Sequence, residues 1–226
     1  EMSGACREAV VSLWVAYYRR GLPKFLAVRD LLAAGEIGNV RFARVLLQRV
    51  PVAAETNPAT RTWRFAPDVS GGGHLPDMGS HMLDLLDFFL GPVRAAHGMA
   101  VRQAGVYLAE DSVVAHLAFD RGVLGVGVWN SAAHAEADVI ELVGDRGELR
   151  FACFDPSPIT LIRDGQVREI AAEHPAHVQQ PLIKTIVDEL NGIGQCPSTG
   201  ESGARATRVI DAILADYHGA RATAAG

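Results

Sequence analysis

Between residues 93 and 167 the chain is cut into short apolar segments by turn-forming residues, and that rhythm admits few folds. Segments at 93–102, 111–119, 122–130, 136–144, 147–152 and 158–163 have strand length and strand composition. Between them stand the turn signals Asp120-Arg121-Gly122, Gly144-Asp145-Arg146-Gly147 and Asp164-Gly165. Links this short favour antiparallel neighbours. Helical periodicity flanks the block on both sides. Phe25, Val28, Leu31 and Leu32 follow Pro23 at helical spacing, and residues 75–90 repeat the pattern up to Gly91-Pro92. Residues 180–190 and 202–217 carry it again, with Thr199 or Ser202 placed to cap the last helix. Of the rest, residues 5–11 read as the end of a helix, 13–18 as a buried strand, 39–50 as a long strand and 51–72 as loop. The expected fold class is α+β, a mostly antiparallel, open-faced β-sheet with helices packed on one face. The other face then needs a partner or a polar surface.

Composition narrows the possible partners. A net charge of -5 without a basic stripe repels phosphate backbones, so no nucleic acid is expected. The longest apolar run near the N-terminus, residues 9–18, is too short to span a bilayer, so no membrane is expected. Cys6, Cys153 and Cys196 form no CxxC pair, which points away from zinc knuckles and disulfide frameworks and toward a reducing, cytoplasmic setting.

A dinucleotide-binding unit opens with strand, GxGxxG turn and helix, because the glycines let backbone amides approach a pyrophosphate. That unit is absent. Gly125 and Gly127 lie inside a strand-like run, and Gly71-Gly72-Gly73 is followed by His-Leu-Pro. No cofactor-binding residue is therefore expected in this chain.

The stretch SGGGHLPDMGSHMLDLLDFF, residues 70–89, carries the chemistry. Asp77 and His81 are four apart and share one face of a helix, with Asp84 close to the same line. Imidazole suits the removal of a hydroxyl proton. A neighbouring carboxylate can orient the ring, raise its basicity or hold a second hydroxyl. Gly79 beside them would let a flat ligand approach the backbone. Spacing alone equally allows Asp77 to be a helix-N-terminal carboxylate and His81 to pack on an apolar face. A metal site built from Asp77, His81 and Asp84 lacks a closed ligand set, so no metal is expected. His174 and His177 read as a solvated loop pair.

On five segments the chain resembles the glucose–fructose oxidoreductase / inositol dehydrogenase (Gfo/Idh/MocA) family, specifically its C-terminal domain. These are VAYYRRGLPKFLAVRDLLAAGEIGNVR (15–41), WRFAPDVSGGGHLPDMGSHMLDLLDFFLG (63–91), EDSVVAHLAFDRGVLGVGVWN (110–130), IELVGDRGELRF (140–151) and HVQQPLIKTIVDELNGIGQCPSTGESGARATRVIDAIL (177–214). The resemblance implies an NAD- or NADP-dependent oxidoreductase, in its full-length form, acting on a sugar, cyclitol or related polyol. It implies His81 as the proton-transfer residue, with Asp77 its neighbour in the substrate site. Tyr18, Arg19 and Arg20 match a motif beside nicotinamide and substrate. Trp63 and Arg64 match a loop that can reach the substrate, and the alternative for Trp63 is a buried loop anchor. For Arg19 and Arg20 the alternative is a pair of solvated charges.

The chain departs from the family pattern at its start. The lysine of a Glu-Lys-Pro motif, which completes the family's catalytic set, has no counterpart here, nor has the glycine-rich half. Residues 1–12 are accordingly expected to be a remnant of linker or helix from a dinucleotide-binding domain. Residues 13–219 would form the substrate-binding and oligomerisation domain, and 220–226 a tail. Such a fragment is expected to be inactive without its own Rossmann domain, and to form a homodimer or tetramer through the sheet face. Trp129 and neighbouring Val and Leu residues would supply that face. Two other readings stand beside the enzyme: an oligomerisation module, and a non-redox polyol-binding relative.

Overall fold

The computed structural model describes residues 2–57, 63, 66–105 and 107–224; of residues 54, 68 and 221–224 only the backbone is described. In chain order the elements are α1 (Met2–Glu8), a 3-10 turn (Tyr18–Gly21), α2 (Pro23–Ala33), β1 (Val40–Gln48), the short helices α3 (Ala53–Thr56) and α4 (Pro67–Ser70), and a π-helical turn (Leu75–Gly79) that runs into α5 (Ser80–Leu90). Then come β2 (Val93–Val101), β3 (Ser112–Phe119), β4 (Leu124–Asn130), β5 (Ala137–Gly144), β6 (Gly147–Phe151), β7 (Ile159–Arg163), β8 (Gln166–Ile170), α6 (Gln180–Leu190) and α7 (Gly200–Ala224).

The eight strands form one sheet in the order β2-β3-β4-β1-β5-β6-β7-β8. The α+β expectation holds: consecutive strands from β2 onward pair antiparallel wherever they are neighbours. One pair departs from it. β1 arrives from α2, enters between two strands that lie later in the chain, and runs parallel to β4 while pairing antiparallel with β5. Parallel strands need a long crossover, and residues 49–123, which hold α3 to α5 and then β2 and β3, supply it.

Period-two alternation sets the two faces. Val113, Ala115, Leu117 and Phe119 of β3, with Ala43, Val45 and Leu47 of β1, point inward under α2, α5 and α7 and join one core. Gly125 and Gly127 also face inward. A side chain at Gly127 would overlap the Trp129 ring, so that glycine makes room for the indole. Trp129 is therefore core, which corrects the expectation that it supplies the outer face. Exposed apolar residues of that face include Met99, Val101, Val114, Leu124 and Val126.

Three further expectations change. Residues 13–18 are not a sheet strand; they make a single bridge, Trp14 to Thr199, and hydrogen bonds to the 198–200 segment. Their apolar character comes from packing beside that segment, not from a place in the sheet. β8 has no apolar alternation to read, because as an edge strand it is exposed almost throughout. It is held by the Asp164-Gly165 hairpin, both residues of which adopt positive φ. Finally, α7 continues to Ala224, past the point where its apolar pattern fades. Both candidate caps serve it: Ser202 N–H donates to Thr199 Oγ1 (3.2 Å) while Thr199 N–H donates to Ser202 Oγ (3.0 Å).

Candidate active site at the head of α5

The π-helical turn places Asp77 just before α5 and His81 in its first turn. Such turns insert one extra residue per turn and are common where a helix must re-aim side chains. Gly79 lies at its end, buried, where a Cβ would come within 2.6 Å of Leu75 Cδ1 and 3.0 Å of Trp129 Nε1. The glycine therefore lets α5 seat on Trp129. It does not open the backbone to a ligand, as its spacing had suggested.

His81 is half-buried inside an aromatic box. Its ring meets Tyr17 (centroids 5.3 Å), Tyr18 (5.7 Å) and Phe154 (6.4 Å), all edge-to-face. Nδ1 is sealed and without a hydrogen-bond partner. Nε2 is not sealed, which leaves it as the nitrogen able to reach a ligand. Burial, helped by the positive charge of Arg19, lowers the His81 pKa to about 4. The imidazole is thus neutral at neutral pH and able to accept a proton.

Asp77 is exposed on the same turn, and its backbone carbonyl accepts a hydrogen bond from Ser80 Oγ (3.0 Å). Its charge is felt by His74, not by His81. The reading that a carboxylate raises the basicity of His81 is corrected accordingly: the charge that acts on the ring is that of Arg19.

Tyr18, Arg19 and Arg20 lie together on the 3-10 turn facing α5, and neither arginine is solvated. Arg20 reaches Asp84 (2.8 Å) and Asp87 (2.9 Å) and also donates to Pro197 O (3.1 Å). Arg205 grips Asp87 from α7 (2.8 Å). Asp84, considered above as a metal ligand, is thereby spent on Arg20. Arg19 instead stacks between Tyr18 and Phe154, its Cζ 4.6 and 4.4 Å from the ring centroids. Trp63 is 60% exposed, so it is no buried anchor. Arg64 lies outside the described residues.

Phe154 and Asp155 form the wall of an open cleft of about 470 Å³ lined also by Arg49, Met78, Glu136 and Ser157. The loop that carries Phe154 is fixed by Asp138, whose carboxylate accepts three backbone N–H bonds, from Cys153 (2.8 Å), Phe154 (2.6 Å) and Asp155 (3.2 Å). The cleft has the volume of a small-molecule site and polar groups suited to hydroxyls. By contrast, Gly72 and Gly73 are packed against Pro76 and Glu110, so the glycine run is no open cradle for a dinucleotide's phosphates. Among the described residues, no group of three or more His, Cys, Asp or Glu could hold a metal ion, and no helix is long and apolar enough to cross a membrane.

A family model described as the GFO/IDH/MocA C-terminal domain matches residues 25–150, more than half of the chain and all of the π turn and α5. The chain belongs to that family. Among curated relatives of this GFO/IDH/MocA domain, oxidoreductase P35 of Formosa agariphila is 31% identical over 92% of the chain and 64% of its own length. The 1,5-anhydro-D-fructose reductase of Ensifer adhaerens is 27% identical over 90% of the chain and 61% of its own length. Among solved structures, a levoglucosan dehydrogenase in complex with NADH and levoglucosan superposes with a TM-score of 0.79 at 19% identity, over 94% of this chain and 66% of that one. The chain thus spans less than two thirds of the length of the curated relatives it matches.

Within this GFO/IDH/MocA domain, sequence reasoning brought forward His81 and the Tyr18–Arg20 turn, which the fold places side by side. It missed Tyr17, Phe154 and Asp138. The first two matter only through a ring packing that no spacing reveals. A signal did exist for the ion-pair network: Asp84 and Asp87 interrupt an otherwise apolar helix face, and buried carboxylates require cationic partners.

Proposed function

We propose that this chain is the substrate-side domain of an oxidoreductase that uses NAD or NADP and acts on a sugar, cyclitol or related polyol or carbonyl compound. The observation that carries the reading is His81: a neutral imidazole with a sealed Nδ1 and a reachable Nε2, at the head of the helix that the family match includes. The names of the relatives, a sugar reductase and a dehydrogenase with bound NADH, support the substrate and cofactor classes. The nicotinamide supplies the redox chemistry when bound, and its dinucleotide is held by a Rossmann domain outside this chain. Residues 13–219 form the substrate domain, 1–12 its connection and 220–226 a tail that α7 enters as far as Ala224.

His81 Nε2 takes the proton of the reacting hydroxyl, or returns it to a carbonyl oxygen. Tyr18 walls the ring. Asp77, exposed on the turn before His81, holds a second hydroxyl. Arg20 acts by position, since it anchors α5 through Asp84 and Asp87. Trp63 and Arg64 reach the substrate from their loop. The outer sheet face is covered by a second copy of the chain, and the protein works in the cytoplasm.

The test is His81→Asn in the full-length protein. Turnover should fall by about 10²–10⁴-fold, with nicotinamide affinity, followed by fluorescence titration, unchanged. Turnover equal to wild type would remove His81 from the chemistry.

A further inference from the structure

The two arginines of the Tyr18–Gly21 turn are adjacent in sequence and treated oppositely by the fold. Arg20 has two carboxylates. Arg19, 5% exposed, has none among the described residues: Nε donates to the Cys153 carbonyl (2.9 Å), and Nη1 is buried without a partner. Lys24, one turn further and 8% exposed, is in the same position. Its Nζ donates to the Asp155 carbonyl (2.8 Å), and no carboxylate lies within ion-pair distance among the described residues. Burial holds its pKa below the usual lysine value. Tyr18 and Phe154 offset part of the desolvation of Arg19 by stacking. Lys24 has a Phe25 ring 5.9 Å away and the more distant charges of Asp138 and Asp155, which offset only part of its burial. Two buried cations without a direct ion-pair partner among the described residues, one of them with an unpartnered Nη1, are an expensive arrangement for a structural purpose alone.

Both cations line one semi-enclosed cavity of about 50 Å³, together with Tyr18, Phe154 and Asp155. Phe154 and Asp155 also line the 470 Å³ cleft. The small cavity is thus a side chamber that shares the Phe154–Asp155 wall with the open cleft. A few water-sized positions fit in 50 Å³, enough for a carboxylate or for the oxygens of a phosphate, and too little for a sugar ring.

We propose that Arg19 and Lys24 seat an anionic oxygen group of the substrate, so that the polyol acted on here is an acidic one, a sugar acid or a sugar phosphate. The inference rests on the proposed function and names its substrate class. The sugar body lies against Phe154, between the open cleft and the His81 ring that Phe154 packs on, and the anion reaches past Phe154 to the two cations. Asp155 and Glu173 border the chamber with His174, and Asp138 is spent on three backbone amides. Asp138 and Asp155 temper the charge of Lys24 from a distance, and neither pairs with it directly. One consequence reaches the base. Arg19 is the charge that disfavours protonation of His81, so an anion on Arg19 cancels that effect and makes His81 a stronger proton acceptor when the acidic substrate is in place.

The experiment uses the full-length protein without nicotinamide, with D-glucuronate, D-glucose 6-phosphate and D-glucose as probes. Binding is measured by calorimetry, and the His81 ring is titrated by NMR. One or both anionic probes should bind at least about tenfold tighter than glucose, the scale of a charge-assisted hydrogen bond, and should raise the pH at which His81 titrates. Which of the two binds distinguishes carboxylate from phosphate. Lys24→Gln should narrow the gap between anionic and neutral probes by about tenfold, as should Arg19→Met if it folds. Equal binding of glucose and both anions, or an undiminished gap in Lys24→Gln, overturns the proposal. Tight anion binding in a protein that turns over no sugar with either nicotinamide would overturn the proposed function and leave the anion seat standing.

Discussion

Arg20 holds Asp84 by both carboxylate oxygens, with Nη2 2.8 Å from Oδ1 and Nε 2.9 Å from Oδ2, one helical turn beyond His81. The contact ties α5 to the turn that carries Tyr18 and Arg19, and so holds the imidazole beside Tyr18. Removing one partner leaves the other charge buried and unpaired. Arg20→Met should therefore destabilise the fold by about 3–5 kcal/mol, read as a shift of the urea midpoint. A loss under about 1 kcal/mol would mean that the network does not hold α5 in place.

The same contrast shows what was legible beforehand. Strand and helix positions follow from period-two and period-3.6 patterning, which is why β2 to β7, α2, α5 and α6 lie close to where the residues predict them. The parallel insertion of β1 between β4 and β5 leaves no local trace, because pairing partners are chosen by the packed core. In the site, His81 and the Tyr18–Arg20 turn were readable as residues. Their meeting was not, since Phe154 comes from the loop after β6 and Gly79 owes its place to a distant Trp129. Asp77 looked like the partner of His81 because the two are one helical turn apart. The fold instead gives His81 a cationic neighbour.

The depressed His81 pKa makes stability depend on pH. The unfolded chain binds a proton near the ordinary pKa of 6.5, while the folded chain resists it until about pH 4. Stability from this group is complete above 6.5 and is lost as pH falls toward 4, by at most about 3 kcal/mol. His81→Asn should flatten the wild-type slope of unfolding free energy between pH 6.5 and 4. Parallel slopes in the two proteins would show that the ring is not desolvated.

Gly79 tests the seating of α5. A methyl there meets Leu75 Cδ1 and Trp129 Nε1, and the neighbours are themselves packed. Gly79→Ala should cost about 1–3 kcal/mol through overpacking and shift Trp129 fluorescence. A variant as stable as wild type would return Gly79 to the role of an opening for ligand.

Asp138 holds the Phe154 loop through three amides. Asp138→Ala leaves those donors without their acceptor and should cost roughly 1.5–3 kcal/mol. Because the loop walls both the cleft and the side chamber, the full-length protein should also show a raised KM. Asp138→Asn, which restores part of the acceptor set, should recover part of both losses. A variant that loses stability with KM unchanged would detach the loop from substrate binding.

The outer sheet face can be tested without touching the site. Val114 and Leu124 are exposed on it, and a row of charge crosses its centre, Arg44 and Arg150 flanking Glu141, with Arg150 Nη2 2.6 Å from Glu141 Oε1. Apolar residues around a self-satisfied ionic centre suit a second copy of the same surface better than water. Val114→Asp with Leu124→Asp places two carboxylates where a dimer would bury them, while in the monomer both positions face solvent and the change should stay within about 0.5 kcal/mol of wild type. Light scattering on the full-length protein should therefore record the wild type as an oligomer and the double variant as a monomer with an unshifted urea midpoint. A wild type that stays monomeric at high concentration would remove the second copy, and a variant that stays oligomeric would move the interface to another surface.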